Sequence, residues 1–403
     1  GYLIAGLICA AICLLFDKIN GNTNLNDSLI GLNEFISGIA LGFIALSIGE
    51  EFRLSKLKEY GTKIVIITFF QALLAAILVD IALVVTCILL GFNLSIALCL
   101  GAIATATAPA ATIMVIHQYK AKGPLVDLLL PVVAFDDAIG LIVFSLSVSF
   151  ANIFATGSEI TLTGLLFVPL IEIVGSILLG SLIGFLMHLV IKLFKSRNNH
   201  IVILITFTLL GVGLSELLST ICLNGYKIEF SNLLCCMMIG AVYVNIASKK
   251  EIPIVERDED LLDRWTPFLF MLFFVLSGTH LLTSAYEIFV TTDLKMFLPI
   301  GLILLVYLVF RSLGKYFGAY IGCKITKRDD KITKYLGITL LPQAGVAIGM
   351  ANQISGMESF KGGNIGNIIV TVVLCATLVY EIIGPLLTKW SLNKAGEIEK
   401  ENL

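Results

Sequence analysis

The sequence predicts an all-α polytopic membrane protein of about 12 transmembrane helices. Three observations lead there: how little of the chain is charged, how long its apolar runs are, and on which side its basic residues fall. Of 403 residues, 58% are hydrophobic and 14% charged, with a mean hydropathy of +0.97. An ordinary soluble domain is roughly a quarter charged. The net charge of −2 gives no pull toward nucleic acid, so the expected surroundings are a lipid bilayer. The nine cysteines are odd in number and lack a C-x-x-C spacing, and they read as small buried hydrophobes. The chain opens at Gly1 without a basic leader, so its start is read as trimmed, with no recognisable cleavable signal.

Taken in order, the apolar runs cover 1–16, 29–49, 64–90, 94–116, 125–155, 162–191, 201–222, 230–247, 265–283, 296–323, 335–355 and 365–388. Several exceed the length that crosses a hydrocarbon slab of about 30 Å at about 1.5 Å per residue, which implies tilt or helical extensions. An even count puts both termini on one side. The distribution of lysine and arginine supports that count, because a missed span would scramble it. Of the 27 basic residues, 21 fall in loops after even-numbered runs or in the tail after 388, and four fall in the opposite loops. Both termini are therefore expected in the cytoplasm. The two remaining cations, Arg311 and Lys315, lie inside the tenth run.

Runs three to five and ten to twelve start from opposite sides, the pattern of an inverted repeat. The middle run of each triplet carries a break signal at the matching place: Thr105-Ala106-Thr107-Ala108-Pro109 in one, Pro342-Gln343-Ala344-Gly345 in the other. Proline removes an amide donor and frees a carbonyl one turn earlier, and small neighbours let the backbone unwind. Two discontinuous helices crossing near the midplane are expected, although a single such proline is usually a simple kink.

Asp136 and Asp137 fall near the middle of the fifth run, where insertion scales charge about 2.5–3.5 kcal/mol for each aspartate. They point about 100° apart on a helix, so one can meet a protein cation while the other faces a cavity. At about 6 Å and an effective dielectric of about 20, two negative charges repel by roughly 3 kcal/mol, which a proton or a small cation relieves. That competition for one site is what an exchanger requires. The bland alternative is a helix-bridging acid pair with no transport role. Arg311 and Lys315, four residues apart, share a helix face. Small residues around Lys315 would let its ammonium reach Asp136 across a close helix contact; the alternative is that both side chains snorkel to the surface. Asp80, Glu172, Glu216 and Glu381 are weaker membrane acids, Glu381 being the one within a repeat helix. His117, His188, His200 and His280 lie near span ends, where pH sensing is the lesser reading.

The Thr-Ala-Thr-x-Pro break, the Asp136-Asp137 pair followed by Ala138-Ile139-Gly140, the Gly314-Lys315 helix and the Leu341-Pro342-Gln343-Ala344-Gly345-Val346-Ala347 break together resemble the monovalent cation/proton antiporter superfamily, in its NhaA/NapA-like sodium/proton antiporter branch. The resemblance covers essentially all twelve runs. It implies a core ion-transport domain over 64–155 and 296–388, a scaffold and dimerisation domain over 1–49 and 201–283, a linking helix at 162–191, and a cytoplasmic tail at 389–403. It further implies a homodimer in a bacterial inner membrane, exchanging Na+ or Li+ for H+ by an elevator-like cycle. Asp137 resembles the ion-binding carboxylate and Asp136 the lysine's partner at Lys315. Thr105 and Thr107 would lend oxygens, Arg311 would act as a further charge partner, and Gln343 and Glu381 would stand close by. The double aspartate implies electrogenic exchange. Gln343 and Gly345 stand where some relatives have an acid. The short tail after Trp390 argues against potassium-efflux relatives with nucleotide-binding tails.

Competing readings are a K+/H+ antiporter and a sodium-coupled organic anion symporter, which adjacent acids would disfavour by repelling the anion. An intramembrane aspartyl protease needs its two carboxylates on separate helices. No His-Glu-x-x-His motif or phosphate loop is present. The expectation is a secondary transporter, not an enzyme, with no cofactor.

Overall fold

In the computed structural model, residues 2–20, 24–54, 61–156, 168–194, 196–218, 222–223, 226–227, 230–248, 250–291, 297–360 and 362–398 are described. Apart from a two-residue antiparallel ladder, Cys222–Leu223 with Tyr226–Lys227, the regular structure among them is helical. The chain divides into two compact units, one comprising Gly1–Leu57 and Ser158–Thr283, the other Lys58–Gly157 and Ser284–Leu403.

The first unit contains α1 (Tyr2–Asn20), α2 (Asn24–Glu51), α7 (Val168–Leu193), α8 (Arg197–Leu218), α9 (Asn232–Ile246) and most of α10 (Ile252–Thr291). At its centre α9 packs against α2 and α7. Small residues allow this approach: a Cβ on Gly240 would stand 2.3 Å from the Leu46 carbonyl oxygen, and one on Gly180 2.2 Å from that of Cys235. Where a linking helix is expected, α7 lies on α9 and α8 within this unit. α10 begins at Ile252 rather than 265. Its first turns are amphipathic, burying Val255, Asp258 and Leu262 along one helical stripe, a pattern that a mean over apolar residues passes over.

The second unit contains α3 (Thr62–Leu90), α4 (Leu94–Ile103), α5 (Pro109–Gln118), α6 (Pro124–Thr156), α11 (Phe297–Ile325), α12 (Asp330–Thr339), α13 (Gly345–Gly356) and α14 (Ile365–Ala395). α3 ends at Gly91, whose φ of +75° is cheap only for glycine. Asn93 then starts α4, its side chain accepting the Ser95 N–H at 2.9 Å. The most extensive contact joins α3 and α11, built on a glycine every fourth residue of α11. A Cβ on Gly314, Gly318 or Gly322 would stand 2.5, 2.5 or 2.8 Å from the Cα of Ala75, Gln71 or Ile67. The two backbones therefore touch over successive turns.

Among the described residues seven helices are long and apolar enough to cross a membrane: Thr62–Leu90, Pro124–Ala155, Leu170–Leu193, Arg197–Leu218, Ile252–Leu282, Leu298–Ile325 and Ile365–Ala395. Tyr2–Cys13, Phe35–Glu50, Leu94–Ile103 and Asn232–Ile246 are shorter apolar stretches. The runs read as 94–116 and 335–355 are each split in two, at residues 104–108 and 340–344. Of the eight cysteines whose side chains are described, five are buried and all eight are free, with Cys9 exposed.

Gly318→Val should drive a branched side chain into the α3 backbone. Overpacking of this kind costs about 1–3 kcal/mol, so the variant is expected to melt several degrees below wild type in a detergent thermal-unfolding assay. An unchanged Tm would show that α3 and α11 are not held backbone to backbone.

Candidate functional site

The two helix breaks lie together inside the second unit. Each leaves carbonyl groups without the amide that would continue the helix, and in a low-dielectric interior each needs another donor. The protein supplies them from side chains. Gln343 Nε2 donates to the Ile103 carbonyl at 3.1 Å, as a second donor beside the Ala106 N–H at 3.2 Å. Lys315 Nζ donates to that of Thr105. Arg311 donates through Nη2 to Ala106 at 2.7 Å and through Nη1 to Leu341 at 2.8 Å. The Ala108 N–H donates to Pro342 at 2.9 Å, tying one break to the other. Arg311 and Lys315 are fully buried, so neither snorkels. The Arg311 guanidinium also covers the Tyr380 ring, 4.4 Å from its centroid, a cation–π contact. Because α4 and α12 both end here, the guanidinium also faces the negative ends of two helix dipoles.

One turn further along α11, Lys315 meets Asp136 of α6. Its ammonium lies 2.8 Å from Asp136 Oδ2, 2.8 Å from Thr107 Oγ1 and 2.7 Å from Gln71 Oε1, besides the Thr105 carbonyl. Asp136 also accepts from Thr107 Oγ1 on Oδ2 and from Gln71 Nε2 on Oδ1. Gln71 is thus oriented by opposite charges, amide oxygen toward ammonium and amide nitrogen toward carboxylate. All four side chains are buried, the setting in which charge-assisted hydrogen bonds are strongest and a missing partner costs most. Gly140, one turn after Asp136, lets α6 approach: a Cβ there would stand 2.9 Å from Thr105 Oγ1.

The structure therefore brings together Asp136, Thr107, Lys315 and the Thr105 carbonyl. The Thr105 hydroxyl turns back to Ala102 O at 2.7 Å. Arg311 and Gln343 brace the breaks next to the cluster, and Gln343 Nε2 also donates to Tyr307 Oη at 2.8 Å. Glu381, half-buried on α14, makes no described contact with the cluster. Asp137 follows Asp136 on α6, and its side chain lies outside the described residues, as does that of His117. Asp80 packs its carboxylate on Gly101, Glu216 accepts from Asn232 at 3.3 Å, and Glu172 and His280 are buried. His188 is buried on α7, and its Nε2 lies 3.8 Å from Glu251. His200 bridges Asp258, at 2.8 Å, and the Phe194 carbonyl, at 2.9 Å. Sequence reasoning missed Gln71, Tyr307 and Tyr380. The signal for Gln71 was its position as the one amide in the apolar stretch 64–79.

The Lys315 ammonium has three N–H groups, and its partners among the described residues include oxygens of four types: a carboxylate, a hydroxyl, a carboxamide and a backbone carbonyl. Such a set also suits a small hard cation, and unwound carbonyls at helix breaks are a recurring way to hold one.

A sequence model described as "Sodium/hydrogen exchanger, transmembrane" matches residues 1–393. The chain belongs to the sodium/hydrogen exchanger family. It is thus a multi-pass membrane antiporter of sodium ions and protons, in a family of transporters rather than enzymes. Two solved structures of the sodium proton antiporter MjNhaP1 from Methanocaldococcus jannaschii share its fold. One, at pH 8, is 18% identical with a TM-score of 0.70, covering 99% of this chain and 98% of that one. The other, an electron-microscopy structure, is 17% identical with a TM-score of 0.66, covering 100% and 97%. A search of curated proteins gave no significant match.

Removing Lys315 alone should strand a buried carboxylate, a change that costs about 3–5 kcal/mol. Lys315→Gln and Asp136→Asn are each expected to lower the Tm sharply, while the two combined should recover much of the loss, since no net charge is then left unpaired. Chemical or thermal unfolding of the two single variants and the double variant gives the coupling. Additive losses would mean that the pair does not act as a unit.

Proposed function

We propose that the chain exchanges Na+ or Li+ for protons at the Asp136–Lys315 cluster, with Asp137 as the ion-binding carboxylate and Asp136 as the partner of Lys315. Thr107, the Thr105 carbonyl and Gln71 complete the oxygen set. The observation that carries this reading is the fully buried Lys315–Asp136 pair at the junction of two interrupted helices. A cation entering beside Asp137 competes with the Lys315 ammonium for the same oxygens. Lysine can then give up a proton, whereas Arg311, whose guanidinium stays charged, keeps the breaks closed throughout. Proton return restores the ammonium and expels the cation.

Two acids and one releasable lysine allow more than one proton per cation, which makes the exchange electrogenic. The fold reading is twelve crossings with an inverted repeat: α3, α4 with α5, and α6 form one triplet, and α11, α12 with α13, and α14 the other. Support comes from the interruption of the middle member of each triplet and from the placement of the whole cluster in one compact unit. That unit is the moving core and the other the scaffold through which a homodimer forms, in an elevator-like cycle. The membrane is a bacterial plasma membrane with both termini cytoplasmic, supported by the bias of basic residues.

In reconstituted vesicles, a pH dye should report proton flux on adding Na+ or Li+ salts without any organic substrate. Asp137→Ala is expected to abolish it, and Asp136→Asn to leave electroneutral activity. Wild-type rates in both variants would falsify the assignment of these carboxylates.

A further inference from the structure

α6, the helix that carries Asp136 and Asp137, begins without a cap of its own. Pro124 is its first residue and has no N–H, and Gly123 before it has no side chain with which to accept. A helix start normally leaves several amides to be met by a capping oxygen. Here the oxygens come from the far end of the chain. After α14 ends at Ala395, Gly396 takes φ +83° and turns the chain, placing Glu397 over the α6 start. Its Oε1 accepts the Leu125 N–H at 2.6 Å and its Oε2 the Val126 N–H at 2.9 Å. Its backbone carbonyl accepts the Lys122 N–H at 3.0 Å. The Asp127 N–H reaches Gly123 O at 2.9 Å, so the first turn of α6 is fully satisfied. Gly123 is needed for the approach, because a Cβ there would stand 2.5 Å from the Glu397 carboxyl carbon. Ile398 is buried beside it, and Lys331 Nζ holds the Ala395 carbonyl at 3.2 Å.

We propose that Glu397 is a positioning residue for ion binding: a clamp from the end of α14 that fixes the axial placement of α6, and with it Asp136 and Asp137. The family match ends at residue 393, so the clamp lies outside what family membership assigns. The two carboxylate contacts on the consecutive residues 125 and 126 make it a bidentate charged cap, which favours the positive end of a helix dipole, and the backbone contact at 122 adds a third tie. The distance to the site, ten residues from Val126 to Asp136 at about 1.5 Å each, is about 15 Å along a single helix. Pro131 lies between the two, but the helix is continuous from the clamp to the carboxylates, so a shift at its start changes where they stand. The consequence for transport rests on the exchange reading above, whereas the clamp itself does not.

The test compares wild type with Glu397→Gln, Glu397→Ala and Gly123→Ala in the full chain, with two readouts. Glu397→Gln preserves size but turns a donor toward a backbone N–H, and Gly123→Ala leaves Glu397 in place while blocking its approach. Loss of a cap of this kind should speed hydrogen exchange at the Leu125 and Val126 amides by about fivefold in all three variants. The apparent KM for Na+ in vesicles should rise by about three- to tenfold, less than the roughly 10–100-fold for losing a partner that touches a metal ligand because the clamp acts from a distance, with kcat per folded protein nearly unchanged. Unaltered amide exchange in Glu397→Gln overturns the clamp. Faster amides with a wild-type KM, or a loss confined to kcat and to the amount of folded protein, overturns the positioning role. A wild type that shows no sodium-dependent proton flux rejects the exchange reading alone, and the amide comparison still decides the clamp.

Discussion

The constraint on which the rest depends is that interrupted helices in a low-dielectric interior must have their freed backbone groups paired within the protein. Four carbonyls, of Thr105, Ala106, Leu341 and Pro342, are met by Lys315, Arg311 and one amide of the other break, and the carbonyl of Ile103, already bonded to the Ala106 N–H, takes Gln343 as a second donor. The two cations that looked anomalous in the tenth apolar run are thus in the first place backbone donors. Their charge suits the place, since two helices end there with their negative poles. The ion pair with Asp136 is built onto this repair.

That arrangement separates two tasks by the chemistry of the side chain. A guanidinium makes two directed hydrogen bonds and stays protonated, so Arg311 can hold both breaks whatever the ionic state of the neighbours. An ammonium is a compact charge that can exchange partners, and Lys315 has oxygens of four types within reach. Gln71 moderates the exchange by presenting an acceptor to one charge and a donor to the other. A hydrocarbon at that position would leave both less well solvated by the protein.

Much of this was legible in the chain itself. The expense of Asp136, Asp137, Arg311 and Lys315 in apolar runs, the two proline-bearing breaks and the bias of basic residues pointed to the helical membrane class, and among the described side chains the first two picked out Asp136 and Lys315, which meet, and the breaks beside them. What the sequence did not show followed from contacts that no local pattern encodes. Gln71 looks like a tolerated polar residue until α11 is set against α3. Thr105 is expected to lend an oxygen, and the one it lends is its carbonyl, because the unwound backbone turns that group inward and the hydroxyl back. The start of α10 was hidden by averaging, since charged residues dilute the buried stripe of Val255, Asp258 and Leu262. Arg311, read for its charge, and Gln343, read as a neighbour of the ion site, are struts that hold the breaks.

The glycines at 314, 318 and 322 have a mechanical corollary. Side chains between helices act as bearings, whose rotamers can readjust so that one rod slips past the other by a fraction of a turn. Where main chain lies on main chain at three levels there is no such play. α3 and α11 can only be carried as a welded pair, and Gln71 on one rod and Lys315 on the other keep their spacing through any larger excursion of the unit that holds them.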